Sequence, residues 1–209
     1  GEYERTIIEL NDAKYYRVSN VEGDFSTLGT ALVQWEKDEP ARAVIELCEN
    51  EVYSHHVEIR MAKHQHLVVR AAEGRRPILR LLDARPDQSD AFLVRGQAGA
   101  RFTLDGVIVT GRAMRVEGEL RRLELRHCTL VPTRAPAREV EDESAPAESS
   151  LQIDRLGEDS EIVIEHSILG PIVVEDQGEP LPICIADSIL DALDERARAL
   201  WTGRDGFEV

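Results

Sequence analysis

The chain has 209 residues and a formal net charge of -15, from 40 acidic and 25 basic side chains. That length can bury a sizeable core in one elongated domain. The acidity argues against nucleic acid or an anionic membrane surface as a partner, and no apolar run approaches the roughly 20 residues that span a bilayer. A chain opening on Gly1 rather than Met reads as processed, tagged or cut from something longer. Cys48, Cys128 and Cys184 are odd in number and lack metal-ligand spacing, so they read as reduced thiols. Together these features predict a cytoplasmic protein or part of an assembled particle.

In chain order, residues 1–24 read as a polar lead-in with an edge strand over 5–10. A helix is predicted over 25–37, with Leu28, Leu32 and Trp35 on one face and Asp24 or Ser26 as its cap. A stack of strands exposes apolar core and unpaired edges at its end, and this helix is placed to cover them. Short β segments follow over 43–47, 57–59, 67–71 and 78–82, alternating apolar and polar between turn residues.

The second half repeats. Phe102-Thr-Leu-Asp-Gly-Val-Ile-Val109 and Leu123-Glu-Leu-Arg-His-Cys-Thr-Leu130 are offset by 21 positions. So are Ile162-Val-Ile-Glu-His-Ser-Ile-Leu169 and Ile183-Cys-Ile-Ala-Asp-Ser-Ile-Leu190. The middle offset of 39 leaves an 18-residue insertion, placed at 133–150 and rich in Pro, Ala, Ser and Glu. A further strand precedes each repeat, at 92–94, 114–116, 151–153 and 172–174. Gly106, His127, His166 and Asp187 share one bend, where a tight corner needs a residue that tolerates positive φ. Cys128 falls in an inward slot filled by Val107, Ser167 and Ser188 in the other laps. These features predict an all-β fold: a right-handed parallel β-helix with three short strands per lap of about 21 residues and an N-terminal capping helix. Residues 25–209 are read as a single β-helix domain. A C-terminal helix is predicted over 191–201, from Leu193, Ala197 and Leu200, and Phe207-Glu-Val209 reads as the start of a further lap.

The span from Phe25 to Leu190, with its helix, Ala43-Val-Ile-Glu-Leu, Val52-Tyr53 and the 21-residue laps, resembles the pectate-lyase-like right-handed β-helix superfamily. That resemblance implies a fold shared by lyases, hydrolases, phage tailspikes and non-catalytic binding modules. Residues 122–132 and 166–172 are similar to β-helix segments of bacterial proteins encoded beside phage-tail-like contractile injection machinery. This second resemblance covers about half of the chain and implies no catalytic residue.

Candidate chemistry divides among four places. His127 and His166 stack at the corner, as a proton-transfer pair, a weak metal site or plain turn residues; the turn role is the expected one. His55, His56, His64 and His66 form the most His-dense stretch, and His64 and His66 share a face if extended, the spacing of a two-His zinc ligand pair. Against a metal there, no Cys or Asp accompanies them and Glu58 is the nearest carboxylate. Arg70, Arg75, Arg76, Arg80 and Arg85 form a basic patch expected to pair with neighbouring Glu. Ile108, Ile168 and Ile189, with Thr129, make an outward apolar column that calls for a cover: the insertion, the C-terminal helix or a neighbouring protein chain.

No paired carboxylates recur in an outward column, so no catalytic residue and no cofactor is assigned. The functional expectation is a non-catalytic structural or adhesive module of a larger assembly, with protein partners. The alternative is a polysaccharide lyase, glycoside hydrolase or carbohydrate-binding domain of the same fold. Aromatic content of only 5% leaves few stacking platforms for sugars.

Overall fold

The computed structural model describes residues 5–54, 56–81, 92–132, 149–175, 178 and 180–202. It opens with β1 (Lys14–Val18) and one helix, α1 (Leu28–Asp38). The laps then follow. The first comprises β2 (Arg42–Leu47), β3 (Val52–Tyr53) and β4 (Val57–Met61); the second β5 (His66–Ala71), β6 (Ile78–Leu81) and β7 (Phe92–Gly96). The third holds β8 (Arg101–Asp105), β9 (Ile108–Gly111) and β10 (Met114–Gly118), and the fourth β11 (Arg122–Arg126), β12 (Thr129–Pro132) and β13 (Leu151–Leu156). The last two hold β14 (Glu161–Glu165), β15 (Ile168–Leu169) and β16 (Ile172–Val174), then β17 (Ile183–Ala186), β18 (Ile189–Leu190) and β19 (Leu200–Thr202).

Every pairing is parallel and joins a strand to its counterpart one lap away. Three sheets result. Sheet A runs β1-β2-β5-β8-β11-β14-β17, sheet B runs β3-β6-β9-β12-β15-β18, and sheet C runs β4-β7-β10-β13-β16-β19. This is a right-handed parallel β-helix with an N-terminal capping helix.

The alternation seen in the sequence sets the register, because a shift of one residue would turn every apolar side chain outward. Ile45, Val69, Leu104, Leu125, Ile164 and Ile185 lie on consecutive rungs of sheet A. Their side chains form one interior column, buried from Ile45 to Ile164 and partly exposed at Ile185. Phe92 of sheet C meets Phe102 of sheet A edge-on across the interior, with centroids 6.0 Å apart.

α1 buries Leu28, Ala31, Leu32 and Trp35 over the first lap. Thr27, rather than Asp24 or Ser26, caps it, accepting from the Thr30 N–H at 3.1 Å. The helix starts later than position 25 because the Phe25 backbone is already engaged: its N–H donates to Arg17 O and its carbonyl accepts from the Ser19 N–H.

The lead-in differs from expectation. Residues 5–10 are not a strand; the pairing strand is β1, where Lys14–Val18 match Ala43–Leu47. The segment instead lies across the outer face of sheet A. Arg42 Nη1 donates to Asn11 O at 3.2 Å, Arg70 Nη1 to Ile8 O at 2.5 Å, and Arg5 Nη2 to Ala71 O at 2.6 Å. Val44 and Val68, which face outward on sheet A, are fully buried.

The C-terminal helix predicted over 191–201 is absent. Leu193 takes a positive φ of 62°, which no helix tolerates, and Leu200–Thr202 pair with Ile172–Val174 instead. Tertiary strand pairing overrides the local helical spacing. The extra 18 residues are also divided. Leu130 to Leu151 spans 21 positions where Val109 to Met114 spans 5, so 16 fall at the corner between sheets B and C. The other two lengthen the path from Ile153 to Ile162, one as a bulge opposite Val116–Gly118. Most of the insertion (133–148), His55, Leu82, Arg85 and the Phe207–Val209 segment lie outside the described residues.

Candidate functional site

The corner between sheets A and B carries the densest set of polar contacts. Over the last four laps its left-handed residues are Gly106 (φ 76°), His127 (51°), His166 (49°) and Asp187 (48°), one per lap. The chain turns from sheet A into sheet B there in two residues, and a rung spacing of about 4.8 Å stacks each corner on the next. The imidazoles of His127 and His166 are brought face to face, with centroids 5.3 Å apart and planes 13° from parallel.

Behind this outer column lies an inner one. Cys128 N–H donates to Ser167 Oγ at 3.1 Å, and Ser167 N–H to Ser188 Oγ at 3.0 Å. The Ser167 and Ser188 hydroxyls turn back to the Glu165 and Ala186 carbonyls at 2.8 and 2.7 Å. Each small polar residue thus satisfies an N–H that the turn leaves without a ladder partner. The Cys128 thiol sits in the same column, bonded to Arg126 O at 3.1 Å and Leu104 O at 3.3 Å, and burial pushes its pKa up to about 12. The sequence shows the residues of this ladder, but not that they bond to one another.

Asp105, Arg126, Glu165 and Ala186 occupy successive rungs at this corner. The Asp105 carboxylate is fully buried. Oδ1 lies 2.9 Å from His127 Nδ1, and Oδ2 has no hydrogen-bond partner but faces Arg5 Nε at 4.0 Å. The N-terminal lead-in covers this lap and removes the carboxylate from solvent. Desolvation holds His127 below the usual histidine range, opposed by the Asp105 contact and reinforced by Arg126 and His166. Arg126 itself pairs with Glu165 one lap on, Nε to Oε2 at 3.5 Å.

His64 and His66 do not share an extended face. His64 sits in the turn between β4 and β5 at φ 60°, its ring packed against Gly99, while His66 begins β5. His66 is flanked on its rungs by Arg42 and Arg101. Desolvation first, then these guanidiniums and Arg122, hold it below its ordinary range, which favours the neutral imidazole. Among the described residues no group of three His, Cys, Asp or Glu is arranged to hold a metal ion. His64 instead lines a groove of about 880 Å³ at the corner between sheets C and A, with Arg101, Glu119, Arg121, Arg155 and Glu158.

The basic patch is used internally in part. Arg70 pairs with Glu46 at 2.8 Å, and Arg76 Nη1 donates to His127 O at 2.6 Å.

On sheet B the outward column is longer than the sequence repeats reveal. Val52, Ile78, Ile108, Thr129, Ile168 and Ile189 occupy six consecutive rungs. Val52, Ile168 and Ile189 are 46%, 45% and 59% exposed. Val52 and Ile78 were missed because the first two laps lack the 21-residue spacing, although both hold the same position relative to an inward residue. No helix among the described residues is long and apolar enough to cross a membrane. In comparisons with known proteins, no family model, no curated protein and no solved structure matches this chain.

Proposed function

We propose that this β-helix is a non-catalytic structural or adhesive module that docks laterally onto another protein in a larger assembly, of the phage-tail-like kind that its laps resemble. The observation that carries this reading is the six-rung outward column from Val52 to Ile189 on sheet B. At about 4.8 Å per rung it forms a straight apolar strip some 24 Å long. Water-facing β columns ordinarily carry charged or hydroxyl side chains, and contiguous apolar strips mark interaction surfaces. We propose further that the chain belongs to the pectate-lyase-like right-handed β-helix superfamily, supported by the capping helix ahead of three-strand laps.

Charges elsewhere support a structural use. Arg115 binds Asp154 at 2.7 Å and Arg122 binds Glu161 at 3.1 Å, each between neighbouring laps. Such pairs are spent on register rather than on a substrate. The carbohydrate alternative would use the groove beside His64, whose lining among the described residues contains no Phe, Tyr or Trp platform.

Co-expression with the proteins encoded beside its gene tests the proposal. The native chain should co-sediment with one of them. Ile168→Glu with Ile189→Glu should abolish co-sedimentation while leaving thermal unfolding in place, because both side chains point away from the core. Retained co-sedimentation by the double variant overturns the reading. So does depolymerisation of an acidic polysaccharide that is lost when a surface carboxylate is replaced.

A further inference from the structure

We propose that residues 5–11 form a releasable strap over the outer face of sheet A, latched at Asp105, and that a proton gained by His127 opens the latch. The strap is held by side chains rather than by strand pairing. Arg42 and Arg70 bind its carbonyls at Asn11 and Ile8, and Arg5 reaches from it to the Ala71 carbonyl.

The far end of the strap depends on two features of a single lap. Gly106 is the corner residue there, and a Cβ at that place would overlap Arg5 Nη1. The following corners carry His127, His166 and Asp187, so of these four laps this one leaves room for the guanidinium. The second feature is Asp105, which is fully buried with Oδ2 facing Arg5 Nε at 4.0 Å and Oδ1 on His127 Nδ1 at 2.9 Å. One carboxylate therefore serves both the strap and the corner histidine.

The charged groups around His127 make its proton costly to the strap. Arg126 adjoins it on β11, Arg76 holds its carbonyl from the segment before β6, and His166 stacks on it from the next lap. Glu165 is engaged by Arg126, and Asp187 lies beyond His166 at 3.9 Å from its Nδ1. Among the described carboxylates, Asp105 Oδ1 lies in direct contact with His127 Nδ1. An imidazolium at 2.9 Å takes up that charge more closely than Arg5 does at 4.0 Å, and it repels the guanidinium. Release of the strap uncovers Val44 and Val68, an apolar strip on a second face of the solenoid.

A nitroxide on Thr6→Cys reports the strap, since Thr6 is exposed. Cys48→Ser and Cys184→Ser leave only the buried, unreactive Cys128 alongside it. In this chain the label should be ordered near pH 7.5, and its mobile fraction should rise roughly ten-fold by about pH 5. His127→Asn keeps a residue that tolerates the corner and should keep the strap ordered at both values. Gly106→Asn, also compatible with the corner, should free the strap at both values with the far-ultraviolet circular dichroism unchanged. A label already mobile near pH 7.5, a label indifferent to pH, a pH response that survives His127→Asn, or an ordered strap in Gly106→Asn each overturns the proposal.

Discussion

His127 and His166 stand one lap apart with their rings stacked at 5.3 Å, and both hold backbone angles that most side chains avoid. The stack follows from the corner: each residue takes φ near 50° so that the chain can turn in two residues. Replacing His166 by Asn or Gly should leave stability within about 0.5 kcal/mol, because both tolerate that conformation. His166→Val should cost about 1–3 kcal/mol, since a β-branched side chain is strained there. Urea denaturation of the three variants checks this, and equal loss in all three would mean that the imidazole stack, not the backbone, carries the stability.

The interior column predicts a gradient along the solenoid. Leu125 is fully buried in the middle of its column, while Ile185 on the last described lap is partly exposed. Leu125→Ala should lose about 2–5 kcal/mol from transfer and cavity formation. Ile185→Ala should lose much less, because water already reaches its side chain. Chemical denaturation that ranked the two in the reverse order would contradict the order of packing described for sheet A.

The three thiols should react in sequence. Cys184 is exposed, Cys48 intermediate and Cys128 buried, with the Cys128 thiol pushed up to about 12. The thiolate is the reactive form, so Cys128 should resist alkylation at neutral pH until the chain unfolds. Mass mapping of iodoacetamide adducts over time should show Cys184 modified first and Cys128 only in denaturant.

Acid should weaken the fold through histidine. His66 and His127 both lie below the ordinary histidine value in the folded chain. The unfolded state therefore binds protons first, and stability is complete above about pH 6.5 and declines as pH falls below it. His66→Gln should flatten part of that decline, since Gln has no proton to gain on unfolding. Unfolding midpoints measured between neutral pH and about pH 5 read the difference.

Much of the architecture was legible because a solenoid writes its fold locally. The spacing from Leu104 to Leu125 and from Ile164 to Ile185 is itself the rung register. The corner residues were legible for the same reason, since Gly106, His127, His166 and Asp187 recur in phase. Long-range contacts were not. Nothing about Arg5 indicates that it reaches Ala71 or faces Asp105, because that contact depends on a segment folding back across two laps. The Cys128–Ser167–Ser188 ladder was hidden for a related reason: small residues at one position signal a tight space, not the hydrogen bonds made within it. Residues 191–201 misled because helical spacing of Leu193 and Leu200 arose by coincidence of a turn and an edge strand.

The junction between β12 and β13 has a consequence for how such a chain can change. Two residues join β9 to β10, yet 16 more at the equivalent junction leave Met114 opposite Leu151 and Leu130 opposite Leu169. The pairing on either side is thus kept in register despite the added length. Foreign peptides grafted there, such as epitopes or binding loops, should be carried as passengers on an unaltered scaffold.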